Sequence, residues 1–85
     1  SNNKGVEIMP LKFTLKETMK KHGITQKELS AASGVRPNTI ADLRSGDAKK
    51  LTVEKLTALM DALSRMTGET CGLDAIMIYV EEDSE

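Results

Sequence analysis

Aromatic residues are nearly missing from this chain: one Phe, one Tyr and no Trp among 85 residues. A core built without large rings has to be assembled from Leu, Ile, Val, Met and Ala. The single cysteine, Cys71, has no partner for an internal disulfide. Together with the single histidine, His22, it supplies fewer ligands than a tetrahedral zinc site requires. No apolar run approaches the roughly 20 residues that cross a bilayer, and no secretory signal opens the chain. These absences predict a reduced, cytoplasmic domain with no metal, no cofactor and no membrane partner. A glycine-rich phosphate loop is also missing, and no Ser or Cys falls near a His in the expected fold. The carboxylates are scattered or massed at the end, so no catalytic residue and no enzyme is expected.

What is present fits one small domain. Such a chain buries only about 60 % of its unfolded surface, which leaves a thin stability margin and favours association with a second copy. The net charge is −1, but its distribution is polarised. Residues 12–55 carry ten Lys/Arg against five Asp/Glu, whereas residues 61–85 carry one Arg against seven acids. A basic front and an acidic tail suit a nucleic-acid partner better than the total suggests.

Glycines at 23, 34 and 46 close segments of about ten residues, the length of short helices. Thr14-Leu-Lys-Glu17 and Thr25-Gln-Lys-Glu28 both read as capping boxes. The first predicts a helix over 15–22 with Leu15 and Met19 on one face, the second a helix over 26–33 with Leu29 and Ala32 inward. Pro37 suits the first position of a third helix over 37–45, in which Ile40 and Leu43 face a core. Asn38, Asp42 and Ser45 fall on its opposite side, flanked by Arg36 and Thr39. After the basic loop Asp47–Leu51, Thr52 caps a helix over 53–64 whose stripe is Val53, Leu56, Leu59, Met60 and Leu63. Leu73–Val80 reads as one helical turn and then a strand, with the weakly alternating stretch Val6–Phe13 as its natural partner.

The informative unit is the pair of short helices 26–33 and 37–45, joined by a glycine-containing turn. Small residues on the first helix, Ser30 and Ala31, allow a close crossing, and Leu29, Val35, Ile40 and Leu43 form the wedge that fixes its angle. The segment from Ile24 to Gly46, ITQKELSAASGVRPNTIADLRSG, resembles the lambda repressor and Cro-type helix-turn-helix, often called XRE-like. The likeness extends from about Leu15 to Leu63, and the Leu73–Glu81 segment is similar to the tail of small stand-alone members. It implies an all-α, compact five-helix lambda-repressor-like DNA-binding domain, to which the terminal strands add a short β-pairing. Three parts are expected: an N-terminal segment 1–13 with a cloning scar at Ser1-Asn2 and a short strand, a helix-turn-helix domain 14–64, and a 65–85 part holding a short helix, a strand and the acidic tail.

The resemblance also implies roles. Arg36, Asn38, Thr39 and Asp42 match the base-contacting positions, with Asn38 suited to adenine, Arg36 to guanine or a phosphate, and Asp42 to the cytosine amino group. Thr25, Gln26, Lys27, Arg44, Ser45, Lys49 and Lys50 match positions that meet phosphates. Pro37 stands where many relatives carry a polar base-reading residue, and Ser30 where alanine is common. Asn38 and Thr39 also suit plain helix capping. The function expected is a transcriptional regulator, a repressor, that binds double-stranded DNA as a homodimer. An alternative is an antitoxin-type module in which the apolar Leu73–Val80 segment docks a toxin or another protein.

Overall fold

Apolar spacing and capping chemistry divide the described residues into four α-helices closed by a two-stranded ribbon. The structure, a computed structural model, describes residues 10–81. In chain order the elements are β1 (Leu11–Phe13), α1 (Leu15–His22), α2 (Gln26–Ser33), α3 (Pro37–Ser45), α4 (Val53–Thr67), a 3-10 turn at Leu73–Ala75, and β2 (Met77–Tyr79). The first three helices have the bounds their spacing predicts. The fourth runs on to Thr67, past the expected end at Ser64, because Arg65, Met66 and Thr67 offer no break before Gly68. Thr67 supports the extra turn by donating its hydroxyl to the Leu63 carbonyl at 2.8 Å.

Two of the expected caps form. Thr25 Oγ1 accepts from the Glu28 amide at 3.1 Å, and Glu28 Oε1 accepts from the Thr25 amide at 2.9 Å, which completes the capping box. Thr52 Oγ1 accepts from the Lys55 amide at 3.0 Å. The box expected at Thr14 does not form. Thr14 sits where β1 runs into α1, and its polar groups are taken by the other end of the chain. Its hydroxyl donates to the Asp74 carbonyl at 2.7 Å, and its amide donates to the Ile76 carbonyl at 2.8 Å.

The core is aliphatic, as the shortage of rings requires: Leu15, Met19, Leu29, Val35, Ile40, Leu43, Leu59, Ala62, Leu63 and Ile76 are buried. Each large member removed from water contributes about 1.5–3 kcal/mol. Val53 departs from the predicted stripe and is 79 % exposed. It opens α4 as its first residue, and the inward face of that helix is carried by Leu59, Ala62 and Leu63 further along.

The expected fifth helix is a single 3-10 turn. After Leu73-Asp-Ala, the residues Ile76 to Val80 are rich in β-branched and aromatic types, and they extend to pair with β1. The ribbon is antiparallel, with Leu11 opposite Tyr79 and Phe13 opposite Met77. Residues 6–9 of the predicted N-terminal strand lie outside the described residues. Thr18 donates its hydroxyl to the Ala75 carbonyl at 2.8 Å and so ties α1 to the turn before β2.

Two substitutions check this account by urea unfolding. Thr25→Ala is expected to lower stability by about 1 kcal/mol through loss of the cap. Leu43→Ala should cost about 2–5 kcal/mol through the cavity it leaves, and wild-type stability in Leu43→Ala would contradict the core assignment.

Candidate nucleic-acid interface

Helices α2 and α3 cross through a turn that needs one left-handed residue, and Gly34 supplies it with φ 77°. The turn is held by side chains on either side. Ser30 donates its hydroxyl to the Val35 carbonyl at 2.7 Å, and Ser33 Oγ accepts from the Val35 amide at 3.0 Å. Ser30 is therefore a clamp for the turn rather than only a small residue tolerated at a crossing. Ala31, expected at that crossing, is exposed instead, while Ala32 packs against the core. Leu29, Ile40 and Leu43 are fully buried and Val35 nearly so, which forms the wedge the sequence predicts.

With Ile40 and Leu43 turned inward, α3 presents Asn38 and Asp42 to solvent, and Thr39 is half-buried beside them. Arg36 is the N-cap residue and Pro37 opens the helix, so Asn38 and Thr39 lie inside the first turn and do not cap it. Thr39 and Asp42 share a groove of about 360 Å³ with Asp47, Lys49 and Lys50 of the following loop. Two candidate base readers and two candidate phosphate ligands thus line one depression. Ser45 closes the helix end: its hydroxyl contacts Asp47 Oδ2 at 3.0 Å and the Asp42 carbonyl at 3.2 Å.

A second groove, about 260 Å³, is lined by Lys16, Gln26, Ala41, Arg44 and Ser45. Arg44 Nη1 donates to Gln26 Oε1 at 3.3 Å and bridges the start of α2 to the end of α3. Lys16 belongs to this cluster and was not among the predicted contacts. Its sequence signal is slight: it follows the buried Leu15 and so points outward, within the basic half of the chain. Thr25 and Lys27 are exposed at the start of α2. Glu28 engages the Thr25 amide and one lone pair of its hydroxyl, which leaves the Thr25 O–H as a donor beside the open amides of this helix start.

Arg36 lies apart from the other α3 residues. It lines a groove of about 280 Å³ with Ser33, Gly34, Glu54, Lys55 and Ala58, between the turn and the start of α4. Among the described residues, no group of three or more His, Cys, Asp or Glu is placed to hold a metal ion. No described helix is long and apolar enough to cross a membrane.

The family model described as Cro/C1-type HTH DNA-binding domain matches residues 14–78, well over half of the chain. The chain belongs to this family. Comparisons with curated proteins and with solved structures returned no match. In this Cro/C1-type domain, α2 and α3 are the helix-turn-helix, and α3 is the second helix, the one such motifs place in the major groove. The matched region runs from Thr14 through Ile78, so it takes in α4, the 3-10 turn and part of β2 as well as the motif itself.

Ser30 offers a direct check on the turn. Ser30→Ala removes the bond to the Val35 carbonyl and should lower stability by about 1 kcal/mol, read by chemical denaturation; unchanged stability would mean that the hydroxyl does not hold the turn.

Proposed function

We propose that this protein is a sequence-specific transcriptional repressor that binds double-stranded DNA as a homodimer and reads the major groove with α3. The observation that carries the reading is the shared groove of Thr39, Asp42, Lys49 and Lys50. It puts groups suited to base edges and groups suited to phosphates on one face, beside the exposed Asn38. Asn38 offers an amide that pairs bidentately with adenine, Asp42 accepts from the cytosine amino group, and Thr39 contacts a neighbouring base or methyl. Arg36, at the edge toward α4, reads guanine or grips a phosphate.

Backbone contacts flank this centre on two sides. Lys49 and Lys50 hold phosphates beyond the end of α3. Gln26, Lys27, Arg44 and Ser45, with Thr25 shaping the start of α2, hold phosphates at the other side, and Lys16 joins them through its place beside Gln26 and Arg44. Asp42 repels phosphates, so it favours a cytosine partner by penalising the alternatives. Two copies presenting α3 to successive major grooves would sit about 34 Å apart and read a near-palindromic site.

A second reading is favoured by the terminal ribbon and the 3-10 turn that precedes its second strand. Leu11, Leu73 and Tyr79 are 45 %, 48 % and 70 % exposed. Apolar side chains left in solvent there suit a protein contact, either the homodimer or an antitoxin-type complex.

Two substitutions separate base reading from phosphate contact. Asn38→Ala should cost about 1–3 kcal/mol at the cognate site and relax base preference, whereas Lys49→Ala should weaken all sequences alike and reduce the salt slope by about one. Unchanged affinity in both variants would refute the interface. For assembly, light scattering at micromolar concentration is expected to give a dimer, free or on DNA; a clean monomer in both conditions would refute homodimeric action.

A further inference from the structure

Phe13 is the only phenylalanine in the chain, and it stands outside the helix-turn-helix. It ends β1, pairs across the ribbon with Met77, and is half-buried against the core. Its ring lies at the exit of α3: a Cβ built on Gly46, the left-handed C-cap residue, would be 3.9 Å from Phe13 Cδ2. The same ring lines a groove of about 270 Å³ with Ala48, Lys49, Leu51, Leu56 and Met77. Within the loop, Ala48 and Leu51 pack against the core while Lys49 and Lys50, between them, are exposed.

The loop is thus pinned at two apolar points on either side of its lysines, with an aromatic ring forming one wall of the groove beside them. We propose that Phe13 is a positioning residue for DNA binding, holding the Gly46–Leu51 loop so that Lys49 and Lys50 meet phosphates while α3 is seated in the groove. This rests on the DNA-binding reading above. It makes the terminal ribbon part of the phosphate clamp: a disturbance of β1 or β2 reaches the lysines through one ring, without passing through the α2–α3 crossing.

The test compares Phe13→Ala, Phe13→Leu, Lys49→Ala and the double variant Phe13→Ala/Lys49→Ala, at a temperature where each is folded. Without DNA, hydrogen exchange of the Gly46 and Asp47 amides, which both donate to the Asp42 carbonyl at the start of the loop, should rise about tenfold in Phe13→Ala relative to α2 and α4. Phe13→Leu should restore most of the protection, and Phe13→Val, which shortens the side chain while keeping a β-branched residue in the strand, carries the comparison if the alanine variant does not fold. With DNA, Phe13→Ala should weaken binding about fivefold and lower the salt slope. The double variant should lose clearly less than the product of the single losses, because both changes disable the same contact. Unchanged exchange in the loop, or single losses that simply multiply, would overturn the proposal. Full affinity in Phe13→Ala alongside weakened Lys49→Ala would also overturn it. Full affinity in all variants and in Asn38→Ala would instead locate the failure in the DNA reading itself.

Discussion

The burial of Ile40 and Leu43 against Leu29 and Val35 is the constraint on which the rest of this molecule depends. Helix α3 has nine residues, too few to persist alone in water. It exists because one side of it is packed, and that packing decides which side chains are left outward. The polar face of Asn38, Thr39 and Asp42 is therefore a consequence of the core, as is the angle at which α3 leaves α2. Gly34 and the Ser30 hydroxyl make the crossing affordable in backbone terms, and the loop after Gly46 inherits its starting direction from it.

Charge acts on a longer scale. Four basic residues of the first two-thirds of the chain lie around α3, with Lys16 and Arg44 beside Gln26 in one groove and Lys49 and Lys50 in another. The acidic residues are concentrated toward the C-terminus. A polarised domain of this kind approaches a polyanion in a preferred orientation, with the near-neutral total limiting indiscriminate attraction. Three carboxylates lie close to these basic groups. Glu28 occupies the Thr25 amide, and Asp42 and Asp47 line the same groove as Lys49 and Lys50.

Much of this was legible in the sequence because it is local. The bounds of α1, α2 and α3 follow from apolar spacing, from Thr25 and from Pro37 at a helix start, and the pairing of the chain ends follows from the β-branched run before Val80. What escaped is tertiary. Thr14 has the pattern of a cap, yet its hydroxyl goes to the Asp74 carbonyl, a partner 60 residues away. Val53 has the spacing of a core residue, but it lies at the helix end beyond the reach of its neighbours. The fifth helix implied by the family resemblance is absent among the described residues, where Leu73–Tyr79 instead forms the single turn and strand that its own spacing predicts. Lys16 carries no motif, and only the crossing of α1 with the α2–α3 pair brings it beside Gln26 and Arg44. Arg36 kept its exposure but faces α4, which the helical wheel of α3 alone does not foretell.

The central claim is that this face reads DNA sequence, and selection of bound duplexes from a random pool at stepped salt concentrations tests it most directly. The account predicts steep weakening with salt, as several phosphate contacts require. It also predicts survival at higher salt of a near-palindromic site with half-sites one helical turn, about 34 Å, apart. Failure to retain any duplex at low salt, or retention with no enriched sequence at any salt, would contradict it.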